Sequence, residues 1–225
     1  MKLIIATHNA HKAGEFQRIL APLGIEAVTQ DSIGVTVEAD ETADSFAGNS
    51  LLKAKAVFDK CGLPTVADDS GLAVDALGGA PGVYSARYGE ADGIRGLDDK
   101  GRTALLLERM RDVPDGERAA RFVCSITLLL ADGEMHTFEG VCEGTVGWEP
   151  KGENGFGYDP VFMVGERSFS ELPPAEKDAL SHRGKALCQL AEFFAAQEKK
   201  EKRNSLLGGV VEGVADAALE IADFN

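Results

Sequence analysis

Along this chain, short apolar runs alternate with stretches in which apolar residues recur every three or four positions, and that alternation confines it to an α/β architecture. Residues 3–6 form the first apolar run, a buried strand. A polar segment, Thr7-His8-Asn9-Ala10-His11-Lys12, follows at once. Phe16, Ile19, Leu20 and Leu23 then recur at helical spacing, so a helix is expected from about residue 10 to 21, stopped by Pro22 and Gly24. The same reading predicts a strand at 25–29, a helix at 45–61, a short strand at 64–67, a Gly/Pro loop at 78–82, and a helix from the N-cap Asp98 through residue 111. Asp132-Gly133 between the apolar runs 122–131 and 134–148 marks a hairpin. A glycine-rich loop at 150–159, a final short strand at 161–164 and one long helix at 175–197 complete the body. A charge run at 198–203 leads to a tail, 206–225. There Leu207, Val211, Val214, Ala218 and Ile221 suit an amphipathic helix, weakened by Gly208, Gly209 and Gly213.

The 225 residues suffice for one sizeable domain, here 1–197, with 198–225 as a charged linker and a tail of no assigned role. Acids outnumber bases by 37 to 23, a net charge of −14, which repels polyanions and argues against nucleic-acid polymers and anionic membranes as partners. A small anionic ligand remains compatible, because a metal ion and a few lysines can invert the field inside one cleft. Cys61, Cys124, Cys142 and Cys188 show neither C-x-x-C nor zinc-ligand spacing, which suits idle thiols in a reducing compartment. The leading apolar run is too short for a signal peptide, and no stretch approaches the ~20 apolar residues of a membrane span. A cytoplasmic location is expected.

Four segments can carry chemistry. Thr7–Lys12, between a buried strand and a helix, offers a helix N-terminus, two side-chain donors and a lysine to phosphate; ordinary capping by Thr7 or Asn9 is the alternative. Asp68-Asp69-Ser70-Gly71 at the end of an apolar strand suits a hard cation, with Glu41 as a further ligand; an Asx turn is the alternative. In Lys151-Gly-Glu-Asn-Gly-Phe-Gly-Tyr-Asp159, glycines expose Phe156 and Tyr158 for stacking on a planar base beside an acid, unless the rings pack inward. In the last helix Lys177, Ser181 and Gly184 share a face, with His182 and Arg183 beside them; a solvated polar face is the alternative. His8, His11 and His136 form no metal-ligand pattern, and no P-loop occurs.

In order, Thr7-x-Asn9-x-x-Lys12, Glu41-Thr42, Phe46-x-x-Asn49-x-x-x-Lys53, Ala67-Asp-Asp-Ser-Gly-Leu72, Gly78-Gly-Ala-Pro-Gly-Val-Tyr-Ser-Ala-Arg-Tyr88, Gly155-Phe-Gly-Tyr-Asp-Pro160 and Ser181-His-Arg183 closely resemble the non-canonical purine NTP pyrophosphatase, or inosine triphosphatase, family over residues 1–197. Many relatives carry glycine where this chain has His8, so its first loop is expected to be stiffer or more crowded. The resemblance implies an elongated mixed β-sheet flanked by helices, in two lobes around a central active-site cleft, and a homodimer. It implies Mg²⁺-dependent hydrolysis of ITP, dITP and XTP to the monophosphate and pyrophosphate, which cleanses the nucleotide pool. By the same resemblance the segment Thr7, His8, Asn9, Ala10, His11 and Lys12 binds substrate, with Lys53 and Lys177 as further phosphate ligands. Asp69 is the general base and a metal ligand, with Glu41 and Asp68 as the other metal ligands. Ser70 touches substrate, Phe156 to Tyr158 form the stacking platform, and Asp159, His182 and Arg183 read the purine edge. A non-catalytic nucleotide sensor, or a pyrophosphatase for other modified or pyrimidine nucleotides, is the rival reading.

Overall fold

The computed structural model describes residues 1–222, with side chains through residue 203 apart from 201. The amphipathic character expected of the tail lies outside the described residues. Two compact units are present, residues 1–189 and a second starting at Leu190.

The α/β expectation holds. In chain order the elements are β1 (Lys2–Ile5), α1 (Ala10–Leu20), β2 (Glu26–Thr29), α2 (Phe46–Cys61), β3 (Thr65–Val74), α3 (Asp99–Arg109), β4 (Ala119–Leu129), β5 (Met135–Val146), β6 (Phe162–Val164), β7 (Arg167–Ser168), α4 (Pro174–Leu180) and α5 (His182–Ala222). One seven-stranded mixed sheet has the order β2-β1-β3-β4-β5-β6-β7, parallel across β2, β1 and β3 and antiparallel beyond. Asn9, Ser45 and Asp98 cap α1, α2 and α3 with side-chain oxygens, which explains why those three helix starts fall where the sequence puts them. The Asp132-Gly133 hairpin joins β4 to β5, with Gly133 at φ 87°. All four cysteines are free. Among the described residues no helix is long and apolar enough to cross a membrane.

Two of the local expectations that bear on function need correction. The strand expected at 64–67 runs on to Val74, so Asp68, Asp69 and Ser70 lie in mid-strand rather than at a strand tip. Its backbone is satisfied by an unbroken ladder to β4, from Thr65↔Leu129 to Val74↔Ala120. On the other side β1 pairs only at Ile4↔Thr65 and Ile5↔Val66, because the chain there turns away into α1. The β1-side edge of β3 is next engaged at Leu72, whose N–H donates to Ser85 Oγ, and at the Ala73↔Pro81 bridge. The side chains of Asp68, Asp69 and Ser70 are therefore met by charged groups at the gap left by the end of β1.

The long helix expected at 175–197 is broken at Ser181, which is extended at φ −70° and ψ 159°. Its hydroxyl accepts the Gly184 N–H at 3.0 Å, so Ser181 closes α4 and opens α5. A Cβ at Gly184 would stand 1.7 Å from the Asp178 carbonyl oxygen; only glycine lets the two helices meet this closely. Lys177 and Ser181 consequently do not share one helix face with Gly184, and His182 and Arg183 become first-turn residues. The strand at 161–164, expected to be the last, is followed by β7.

Two apolar clusters hold the frame. Ile4, Ala54, Val57, Ala67 and Leu129 tie α2 to the first half of the sheet. Leu72, Leu106, Met110, Phe122, Val146, Phe162 and Phe169 pack α3 and the 158–172 region on the second half. Truncating a fully buried Phe such as Phe162 to Ala costs about 3–5 kcal/mol in such a setting.

Candidate active site

The groove lies at the gap beyond β1. Adjacent strand residues point to opposite faces, and this separates the two acids of β3. Asp68, 2% exposed, meets Lys12 Nζ of α1 at 3.1 Å and the Arg183 guanidinium of α5 at 2.9 and 3.1 Å. Asp69, 6% exposed, meets α2: Lys53 Nζ donates to Oδ1 at 2.7 Å and Asn49 Nδ2 to Oδ2 at 3.3 Å. Lys53 also contacts Glu41 Oε1 at 3.1 Å, so one ammonium joins Glu41 and Asp69. The turn after β1 and the acids of β3 thus face each other across one groove.

Environment sets the two acids apart. Burial raises the Asp68 carboxyl, but Lys12, Arg183 and Lys53 outweigh it and hold it far below the usual carboxylate range. For Asp69 burial prevails over Lys53 and Lys12, and its carboxyl sits above the ordinary value. Lys53 is desolvated too, yet Asp69, Asp68 and Glu41 raise its pKa.

The far end of the groove is aromatic and cationic. Phe156 stacks on His11 at 5.3 Å between centroids, with Lys177 Nζ and Arg183 Cζ at 5.1 and 5.7 Å from its ring centre. Asp159 accepts the Phe156 N–H at 2.9 Å and pairs with Lys177 at 2.7 Å; burial nevertheless raises its carboxyl. His182 is buried and stacks on Phe122 at 4.6 Å and 10°; burial, with Arg183 and Lys177 nearby, depresses its pKa well below the usual value and keeps it neutral. Its Nδ1 is buried without a partner in the fold. Arg183 sends Nε and Nη2 to Asp68, Nη2 to Ser70 and Nη1 to Glu15. Four of its five N–H groups are thereby engaged.

The groove is lined by Asn9, His11, Lys12, Glu41, Lys53, Asp69, Ser70, Phe156, Gly157, Tyr158, Asp159, Lys177, His182 and Arg183 of the expected set. Thr7, His8, Ala10 and Asp68 are not in the lining. Thr7 and Asn9 act as caps: Thr7 Oγ1 accepts the Asn9 N–H, and Asn9 Oδ1 accepts those of His11 and Lys12. His8 turns toward Asp31 and Gln30. Tyr158, expected to be exposed, is 4% exposed, and its hydroxyl donates to the Ser85 carbonyl at 2.9 Å; the ring packs inward.

Sequence reasoning passed over Glu15, a buried carboxylate whose Oε1 meets Lys177 at 3.2 Å and whose Oε2 accepts from Arg183. Its partners are more than 160 residues away, beyond the reach of any local pattern. Asn49, already standing in the Phe46-x-x-Asn49 segment, Phe122 on the hairpin, and Asp99 and Arg102 of α3 also belong to the site.

Among the described residues no group of three or more His, Cys, Asp or Glu side chains is arranged to hold a metal ion. Glu41 and Asp69 nonetheless already converge on one cationic atom, Lys53 Nζ. Mg²⁺ commonly needs only one or two carboxylates, with substrate phosphates and water completing its shell, so this pair fits that ion.

Known proteins of similar sequence and structure place the chain in a family. A dITP/XTP pyrophosphatase of Exiguobacterium sibiricum is 46% identical over 192 residues, spanning 84% of this chain and 95% of that relative. A HAM1 protein structure from Coxiella burnetii superposes with a TM-score of 0.78 at 38% identity, covering 87% of this chain and 99% of the other. A structure described as a nucleoside-triphosphatase, or dITP/XTP pyrophosphatase, from Mycobacterium abscessus gives 0.66 at 46% identity, covering 84% and 98%. The Ham1 family model matches residues 3–193, and the chain belongs to the Ham1 family.

Proposed function

We propose that this protein hydrolyses non-canonical purine nucleoside triphosphates (ITP, dITP and XTP) to the monophosphate and pyrophosphate with Mg²⁺, through a domain spanning 1–197. The observation that carries the reading is a groove lined by Lys12, Lys53, Asp69 and Glu41, with Asp68 buried behind Lys12, whose other end is aromatic. The relatives named dITP/XTP pyrophosphatase support it.

Lys12 and Lys53 leave their acid partners for the polyphosphate and neutralise charge building on the departing pyrophosphate. Lys177, inside the Asp159–Glu15 pair, adds positive field near the phosphates. Asp69, held by Asn49 and Lys53, takes the proton of the attacking water. Asp69 and Glu41, with Asp68 close by, would hold Mg²⁺, which when bound would supply Lewis-acid activation of the phosphoryl group. Ser70, tied to Asp68 and Arg183, lines the groove where substrate passes.

At the other end Phe156 offers a face to the base. The spare Nη1–H of Arg183 donates to a 6-oxo group, with neutral His182 and Asp159 beside it. An adenine 6-amino group leaves such a donor unpaired, at a cost of about 1–3 kcal/mol for each donor. We place the working form in the cytoplasm as a homodimer, which light scattering on the purified chain tests. Pyrophosphate release from ITP, XTP, ATP, GTP and UTP, with products identified, tests the activity. Release from ITP and XTP that stops with chelator is expected; no release from either abandons the reading.

A further inference from the structure

The phosphate end rests on strands and helix starts, but Phe156 sits on a loop, and a stacking platform must be held still to be useful. Gly157, its neighbour, has φ 61°, a left-handed conformation suited to glycine, and a Cβ there would touch nothing, so backbone shape and not crowding requires the glycine. That conformation turns both polar groups of Gly157 toward the first two turns of α3. Its N–H donates to Asp99 Oδ2 at 2.8 Å, and its carbonyl accepts from Thr103 Oγ1 at 3.3 Å. Thr103 is 4% exposed. Asp99 is fixed in turn by Arg102, which also donates to the Leu97 carbonyl. Asp99 stands at the first helical position of α3, where the helix dipole favours its charge. Asp99 and Arg102 both line the groove.

We propose that Asp99 and Thr103 are positioning residues that clamp Gly157 and thereby set the Phe156 ring for the substrate base. The clamp rests on the reading of Phe156 as the base platform. It acts on the base end alone, since nothing in it touches Lys12, Lys53 or Asp69.

The full chain, titrated calorimetrically with inosine monophosphate and separately with pyrophosphate, distinguishes the possibilities. Asp99→Ala and Thr103→Val are each expected to weaken the monophosphate about fivefold and leave pyrophosphate unchanged. Asp99→Asn and Thr103→Ser, which keep an acceptor and a donor, are expected to restore it. With ITP the same variants raise KM and leave kcat within about twofold. Equal weakening of both ligands, or of neither, overturns the clamp. Phe156→Ala separates it from the reading beneath: if that variant weakens the monophosphate and the clamp variants do not, only the clamp fails. If Phe156→Ala changes nothing, the platform fails and takes the clamp with it.

Discussion

At the acid–lysine end of the groove every charged group stands on a regular element: Lys12 in α1, Lys53 in α2, Asp68 and Asp69 in β3, with only Glu41 on a loop. At the aromatic end the order is reversed: Phe156, Gly157 and Asp159 belong to a loop, and Arg183 and His182 to a helix that restarts after a break. The first end is rigid by ladder and helix. The second is rigid by side-chain pairs that cross the molecule, Asp68–Arg183, Glu15–Arg183, Glu15–Lys177 and Lys177–Asp159. On the proposed reading, charge chemistry gets its fixed distances from backbone geometry, and base selection hangs on a network in which one deletion loosens several members.

The sharpest way to break this contrast is at Asp69. Asp69→Asn keeps the shape and the Asn49 and Lys53 neighbours but removes a proton acceptor. Turnover of ITP is expected to fall by about 10²–10⁴-fold while ITP still binds within a few-fold of the parent. Near-normal turnover removes Asp69 from the mechanism. Asp68 differs although it is the next residue. Its carboxylate compensates a buried guanidinium, so Asp68→Asn is expected to cost about 3–5 kcal/mol of stability, read by urea unfolding. A loss under 1 kcal/mol sinks the idea that Asp68 ties the two ends together. The sign is consistent with its depressed pKa: its stabilisation is present above the unfolded value near 3.9 and is lost as pH falls toward the folded one. Next comes Arg183→Lys, which keeps one charge and loses the fork; about a tenfold drop in the ITP-over-ATP ratio of kcat/KM is expected. An unchanged ratio places base selection elsewhere.

The same contrast explains what the sequence made legible. Caps at Asn9, Ser45 and Asp98, the Asp-Gly hairpin and the apolar runs are local signals, so most of the sheet could be read from them, whereas Lys53 entered the candidate site only through the family resemblance. The length of β3 could not, because Asp68-Asp69-Ser70 interrupts its apolar pattern. That run survives in a strand only because Lys12, Lys53 and Arg183 compensate its charge from helices far along the chain. The break at Ser181 carries no proline, and its glycine lies three residues later, inside the next helix. A serine that caps a new helix inside a helical period looks like one more polar position, so the periodicity predicts a continuous helix. Tyr158 misled because glycines on both sides suggested exposure, whereas its hydroxyl finds the Ser85 carbonyl 73 residues away.

The smallest expected effect concerns His182, buried against Phe122 at the aromatic end. Its pKa is depressed because burial and the neighbouring Arg183 and Lys177 disfavour its charged form. The unfolded chain takes up a proton there as pH falls through about 6.5, while the folded chain does not. Stability should therefore drop on the acid side of that value, by about 1.4 kcal/mol per pH unit from this group, and be unaffected above it. Asp159 and Asp69, raised by burial, work in the opposite sense, so the total slope alone is not diagnostic. The difference between parent and His182→Asn is: urea midpoints at pH 7.5 and 5.5 should converge on the acid side, because the variant has no proton to refuse. Parallel midpoints at both pH values mean that His182 titrates freely and that water reaches its buried ring.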